Sequence, residues 1–275
     1  MPVTGPLAHP LRAAAGLAYE VTCGVSAATH LVRMSAGRPV SPDPGQLRPG
    51  IRPEPVLLVH GLGSNSSCFG KMEGYLHAQG YTVYALNYSC FGADIAACGR
   101  DLAREAAWLR HQTGSESVSV VAHSLGGMVV RWSIAHTWMG DWVHLVVTLG
   151  TPHRGTPTAR LAPSSLPGFG KIISQLRPGA GADDDALPER PGIDTRWVAV
   201  AGEHDWVVPP RCAHLPASPR VRNVTVPGGG HLTLPNNGYC LQLVLEELAA
   251  AERQHRASGP CSAAISPEDA SPLSA

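Results

Sequence analysis

The sequence predicts an α/β fold in which a mainly parallel sheet carries helices on both faces. Short apolar runs rich in β-branched residues recur at 56–60, 81–86, 118–122, 143–149, 196–201 and 221–226, each suited to a strand buried on both faces. Helical periodicity fills the intervals. It is clearest over 94–111, where Ile95, Cys98, Leu102, Ala106 and Leu109 recur at three- and four-residue steps while Arg100, Asp101, Arg104 and Glu105 point elsewhere. The third observation is the stretch VSVVAHSLGG from Val118 to Gly127, a β-branched run that breaks at a small-x-Ser-x-Gly turn and continues as helix-like sequence through Met128, Val129, Val130 and Trp132. Alternating strand and helix signals are those of a parallel sheet with helical crossovers.

Taken in order, residues 1–55 precede the main domain. The first ten carry no Lys or Arg and are interrupted by prolines, and 11–34 hold Arg12, Glu20, His30 and Arg33 within an apolar pattern, so the segment does not read as a secretory signal. It reads as an amphipathic helix packing on the domain. Peripheral membrane contact is the alternative, weakened by a polar face poor in Lys and Arg. Residues 35–55 form a Pro/Gly-rich linker, 56–257 the domain itself, and 258–275 a Ser/Ala/Pro tail with little to bury. Within the domain, 151–194 fits neither period and contains the triplet Asp183, Asp184 and Asp185. It is expected as an excursion over the rim of the site, with a solvated loop as the alternative.

Composition narrows the function classes. At 275 residues and 44% hydrophobic the chain can build one large core. Lys+Arg and Asp+Glu balance at 21 each, which argues against a nucleic-acid partner because phosphate binding needs a basic excess or face. No uninterrupted apolar run of about 18 residues exists, so no membrane span is expected. The 7 cysteines (Cys23, Cys68, Cys90, Cys98, Cys212, Cys240 and Cys261) include no C-x-x-C pair and no grouping with histidine, which argues against structural zinc. Neither metal nor cofactor is expected. An odd number of cysteines suits a reduced cytoplasmic protein; a secreted one would retain a free thiol, with Cys68 to Cys90 or Cys98 the pairing to test.

The turn at Ser124 carries chemistry. A strand, a tight turn and a helix hold the serine at an apex with its hydroxyl exposed, and small residues flank it because the turn leaves no room beside it. Ala122 stands where glycine is usual in such turns and keeps the position small. Acyl transfer through serine further needs an imidazole base, a carboxylate to orient it, and donors for an oxyanion. PVLLVHGLG, from Pro55 to Gly63, is a strand ending in His-Gly-x-Gly. Its backbone can turn Leu62 N–H toward the substrate, with Leu125 N–H as the second donor. Asp205 follows the strand at 196–201 and lies beyond its carboxyl end, where ligands gather in open α/β sheets. Glu203 is the competing carboxylate. Of the 13 histidines, His231 follows the strand at 221–226 and a Pro-Gly-Gly-Gly turn, giving the chain order Ser, Asp, His. His60 and His123 read as loop-bonding residues, and His204 adjoins the acid too closely to serve as the base.

Together VLLVHGLGSN, VVAHSLGGMVVR, LGTPHRGT, GEHDWVVP and GGGHLTLP resemble the bacterial lipase/esterase branch of the α/β-hydrolase superfamily, over Val56 to about Pro235. The resemblance implies that Ser124 is the nucleophile, Asp205 the acid and His231 the base, with the first motif forming part of the oxyanion hole. It also makes Ala122 part of an Ala-x-Ser-x-Gly variant and gives Thr151 and His153 a structural role lining the rim. The expected function is hydrolysis of carboxylic esters, lipid-like or other acyl esters, through an acyl-enzyme. An acyltransferase or carrier-protein thioesterase using the same acyl-enzyme is the near alternative, and a catalytically inactive lipase-like binding protein the distant one. Phe69, Met128, Trp132 and Trp206 are candidates for the apolar acyl pocket, with plain core packing as their alternative.

Overall fold

The computed structural model describes residues 43–180 and 195–258. The expected N-terminal amphipathic helix, residues 35–42 of the linker, the acidic triplet and residues 259–275 of the tail lie outside these residues. Seven strands form one sheet in the order β1-β3-β2-β4-β5-β6-β7. They are β1 (Leu47–Arg48), β2 (Val56–Val59), β3 (Val83–Leu86), β4 (Val118–His123), β5 (Val143–Leu149), β6 (Arg196–Gly202) and β7 (Val221–Val226). β1 pairs antiparallel with β3 and every other pairing is parallel. The helices are α1 (Gly70–Ala78), α2 (Ile95–Thr113), α3 (Leu125–His136), α4 (Gly170–Gln175), α5 (Pro210–Ala213) and α6 (Gly238–Ser258).

Strand alternation splits the core into two layers. Leu57 and Val59 of β2 face one cluster, with Leu102, Ala106 and Leu109 of α2 and Val129 and Val130 of α3; Val56 and Leu58 face the other, with Met72 and Leu76 of α1 and Leu243 and Val244 of α6. Asp94 caps α2 by accepting from Ala97 N at 2.7 Å, and Gly114 ends it in the left-handed region at φ 64. α2 crosses α3 where Gly99 meets Trp132: a Cβ at residue 99 would stand 2.2 Å from the indole.

The structure departs from the sequence reading at particular places. Leu47–Arg48 is an edge strand inside the Pro/Gly-rich stretch. β7 occupies the opposite edge and is largely accessible rather than buried on both faces. Glu105, expected to point outward, is buried because Tyr84 donates its hydroxyl to the carboxylate at 2.9 Å. That burial raises the Glu105 pKa above its ordinary value. At the far edge of the core, Glu247 of α6 is held between Arg196 (2.6 Å) of β6 and Arg222 of β7.

Candidate active site

Every group of the site leaves the carboxyl end of a parallel strand. Ser124 follows β4 at φ 53 and ψ −126, the one non-glycine with positive φ among the described residues. A backbone in that region is strained for an L residue, and its surroundings hold it there. Ser124 N donates to Leu149 O at 2.9 Å, and Thr151 donates its hydroxyl to Ser124 O at 2.9 Å. Close packing explains the small neighbours. A Cβ at Gly126 would meet Val59 O at 2.5 Å, and one at Gly127 would meet Thr151 Oγ1 at 2.1 Å. Ala122 is wholly buried in β4.

β6 and β7 deliver the partners. His231 Nδ1 lies 2.7 Å from Asp205 Oδ2, and His231 Nε2 lies 3.0 Å from Ser124 Oγ. Both the Asp205 and His231 side chains are buried. Asp205 Oδ1 accepts from Val207 N (3.0 Å) and Val208 N (2.7 Å), so one carboxylate oxygen is fixed by backbone and the other faces the imidazole. Glu203 instead accepts from Gly228 N at 2.8 Å on an exposed turn, away from His231. Gly150 was not singled out by the sequence reading. At φ 60, it leaves room for the pair, since a Cβ there would lie 3.1 Å from both Asp205 Oδ2 and His231 Nδ1.

The other histidines brace the loops. His123 Nε2 is 3.0 Å from His231 O, and burial together with the nearby His231 pushes its pKa down to about 3, so His123 is neutral and donates that proton to the carbonyl. His60 accepts from Tyr88 N at 3.3 Å and stacks on the Tyr88 ring at 4.5 Å; burial lowers its pKa to about 4. Thr148 bonds His153 at 2.9 Å, and Arg131 donates to His153 O at 3.0 Å. Thr151 and His153 therefore sit buried beneath the site rather than along its rim.

Residues 54–185 match the family described as the alpha/beta hydrolase fold. The mature lipase BlEst2 of Bacillus licheniformis superposes with a TM-score of 0.60 at 23% identity, covering 77% of this chain and 96% of that one. This chain has the α/β-hydrolase fold. Triacylglycerol lipases of Pseudarthrobacter phenanthrenivorans and Burkholderia plantarii are each 34% identical over 114 residues, 38% of this chain and 35% and 31% of theirs. The chain thus spans about a third of the length of these curated relatives.

Beside Ser124 the hydrolase fold opens a cavity of about 570 Å³. Leu62 lines it next to the serine, while Leu125 begins α3 with its side chain in the core. The apolar wall is Ala159, Ala162, Ile173, Leu176, Val208 and Leu232. None of the four candidate pocket residues is part of it. Phe69 is fully buried in the core, Met128 and Trp132 pack against the α2–α3 layer, and Trp206 is 81% exposed. Helical spacing turns Met128 and Trp132 toward α2, whereas the wall comes largely from the aperiodic segment expected at the rim. Cys68 also lines the cavity, and Cys90, Cys98, Cys212 and Cys240 are free thiols. Among the described residues no group of three or more His, Cys, Asp or Glu could hold a metal ion, and no helix is long and apolar enough to cross a membrane.

Proposed function

We propose that the protein hydrolyses carboxylic esters, lipid-like or other acyl esters, through an acyl-enzyme on Ser124. The observation that carries this reading is His231 standing between Asp205 at 2.7 Å and Ser124 at 3.0 Å. In the first step Ser124 Oγ attacks the ester carbonyl while His231 Nε2 takes its proton. Asp205 holds the opposite ring nitrogen and stabilises the imidazolium. His231 then gives the proton to the leaving alcohol, and water repeats the sequence on the acyl-serine.

The backbone N–H groups of Leu62 and Leu125 receive the oxyanion in this reading. Leu125 opens α3, and N–H groups of a helix's first turn lack intrahelical partners and attract negative charge. The close approach of Gly61, whose added Cβ would be 2.8 Å from Ser124 Cβ, brings the Leu62 peptide alongside the serine. The apolar wall at Ala159, Ala162, Ile173 and Leu176 suits an acyl chain.

The test is turnover of p-nitrophenyl esters of graded chain length, run beside an acyl-carrier thioester. The wild type is expected to hydrolyse the esters, and Ser124→Ala to lose several orders of magnitude, with roughly 10³ to 10⁴ over water surviving. An unimpaired Ser124→Ala would refute the assignment; preference for the thioester would move the substrate class. We further place the protein in the cytoplasm, a reading supported by the free thiols of Cys90, Cys98, Cys212 and Cys240. Thiol titration of the protein isolated under non-reducing conditions tests it: a disulfide would overturn it.

A further inference from the structure

The backbone peptide that fixes Asp205 is itself held from the cavity wall. Thr156 donates its hydroxyl to Val207 O at 2.5 Å, and Thr158 donates to the same oxygen at 2.7 Å. That carbonyl and Val208 N–H belong to one peptide unit, and Val208 N–H is the closer donor to Asp205 Oδ1, at 2.7 Å. Asp205 Oδ2 then faces His231 Nδ1. A continuous line of hydrogen bonds thus runs from two threonine hydroxyls through one peptide to the carboxylate and the imidazole. Donation to a peptide oxygen polarises its N–H, so bonds in such a chain strengthen one another in a buried setting.

The threonines also line the cavity. Thr156 N donates to Leu176 O at 2.7 Å, and Leu176 lies in the apolar wall immediately after α4. The segment is anchored on its other side by Arg154 N donating to Cys212 O at 3.2 Å. The two hydroxyls lie 3.0 Å from each other, and both come from the stretch that walls the cavity.

We propose that Thr156 and Thr158 are positioning residues for Asp205, holding the Val207–Val208 peptide so that its N–H orients the carboxylate toward His231. The proposal rests on the hydrolase reading. It couples the wall that would hold the acyl chain to the group that orients the base, so a wall displaced by a poorly fitting chain would loosen the carboxylate.

The experiment compares Thr156→Val, Thr158→Val and the double variant with Thr156→Ser and Thr158→Ser, using p-nitrophenyl butyrate turnover, thermal melting and the proton resonance of the Asp205–His231 hydrogen bond. Valine keeps the shape and removes the hydroxyl; serine restores the hydroxyl alone. The double valine variant should lose about tenfold or more in kcat with KM within about threefold of wild type, and its His231 Nδ1–H resonance should move. The serine variants should recover both. If the double variant fails to fold, Thr158→Val, at the less buried position, should show the same kcat-only loss, smaller in size. Unchanged kcat and resonance in folded valine variants would overturn the proposal, as would serine variants as impaired as valine. A wild type that neither turns over ester nor labels at Ser124 would instead overturn the hydrolase reading on which it stands.

Discussion

Gly61 lies so close to the nucleophile that a Cβ at its position would stand 2.8 Å from Ser124 Cβ and 3.3 Å from His123 O. A methyl there forces two backbones apart at the point where the oxyanion would form. Gly61→Ala should cost on the order of 10²-fold in kcat, because displacements near 1 Å at a reacting centre have that effect. Steady-state kinetics with a melting curve checks it: a folded variant with normal kcat would show that the 61–62 backbone is not part of the catalytic geometry.

The two carboxylates at the end of β6 differ in what they face. Asp205 faces His231, and Glu203 faces a turn amide. Asp205→Asn should lower kcat on the order of 10⁴-fold by favouring the wrong imidazole tautomer, whereas Glu203→Gln should cost less than about tenfold. The reverse ranking would transfer the acid to Glu203.

Ala162 stands in the cavity wall, partly buried against the core. Ala162→Trp should raise KM for long-chain esters while leaving short-chain turnover near wild type, read from chain-length profiles of the two proteins. Equal effects on all chain lengths would place the acyl group elsewhere.

Buried His60 makes stability pH-dependent. Its pKa falls from 6.5 to about 4 because burial penalises the charged ring, so between those values the unfolded chain binds a proton that the folded chain does not. The stability His60 contributes is therefore whole above pH 6.5 and is lost as pH falls toward 4. Denaturant melts across that window should show His60→Gln reducing the slope of stability against pH by about one proton. An unchanged slope would mean that the ring is not buried neutral.

At the remote end of the sheet, Glu247 joins α6 to β6 and β7 through Arg196 and Arg222. Glu247→Gln should destabilise by about 1–3 kcal/mol and leave the labelling rate of Ser124 unchanged. Equilibrium unfolding and labelling kinetics measure the two separately.

Much of this architecture is legible in the sequence because burial on both faces of a parallel sheet demands uninterrupted β-branched runs. Val143–Leu149 is a strand at the bounds that its run suggests, and Val221–Val226 keeps its expected bounds although it lies on the accessible edge of the sheet. Ser124, Asp205 and His231 stand out because each follows such a run. What escapes the sequence is set by tertiary partners. Two-residue β1 has no period to detect, and Glu105 is drawn inward by Tyr84 from across the layer. The cavity wall at Ala159, Ile173 and Leu176 comes from a segment with no regular period, so nothing local marks those residues as lining. Trp206 has the apolar bulk of a pocket residue but lies outside on the acid turn.

The central claim is that Ser124 is an activated nucleophile, and intact-mass spectrometry after exposure to an organophosphonate probe tests it most directly. One adduct per chain is predicted, located on Ser124 by peptide mapping, absent from Ser124→Ala and strongly slowed in His231→Ala. An adduct persisting in folded Ser124→Ala, or no adduct on the wild type, would contradict it.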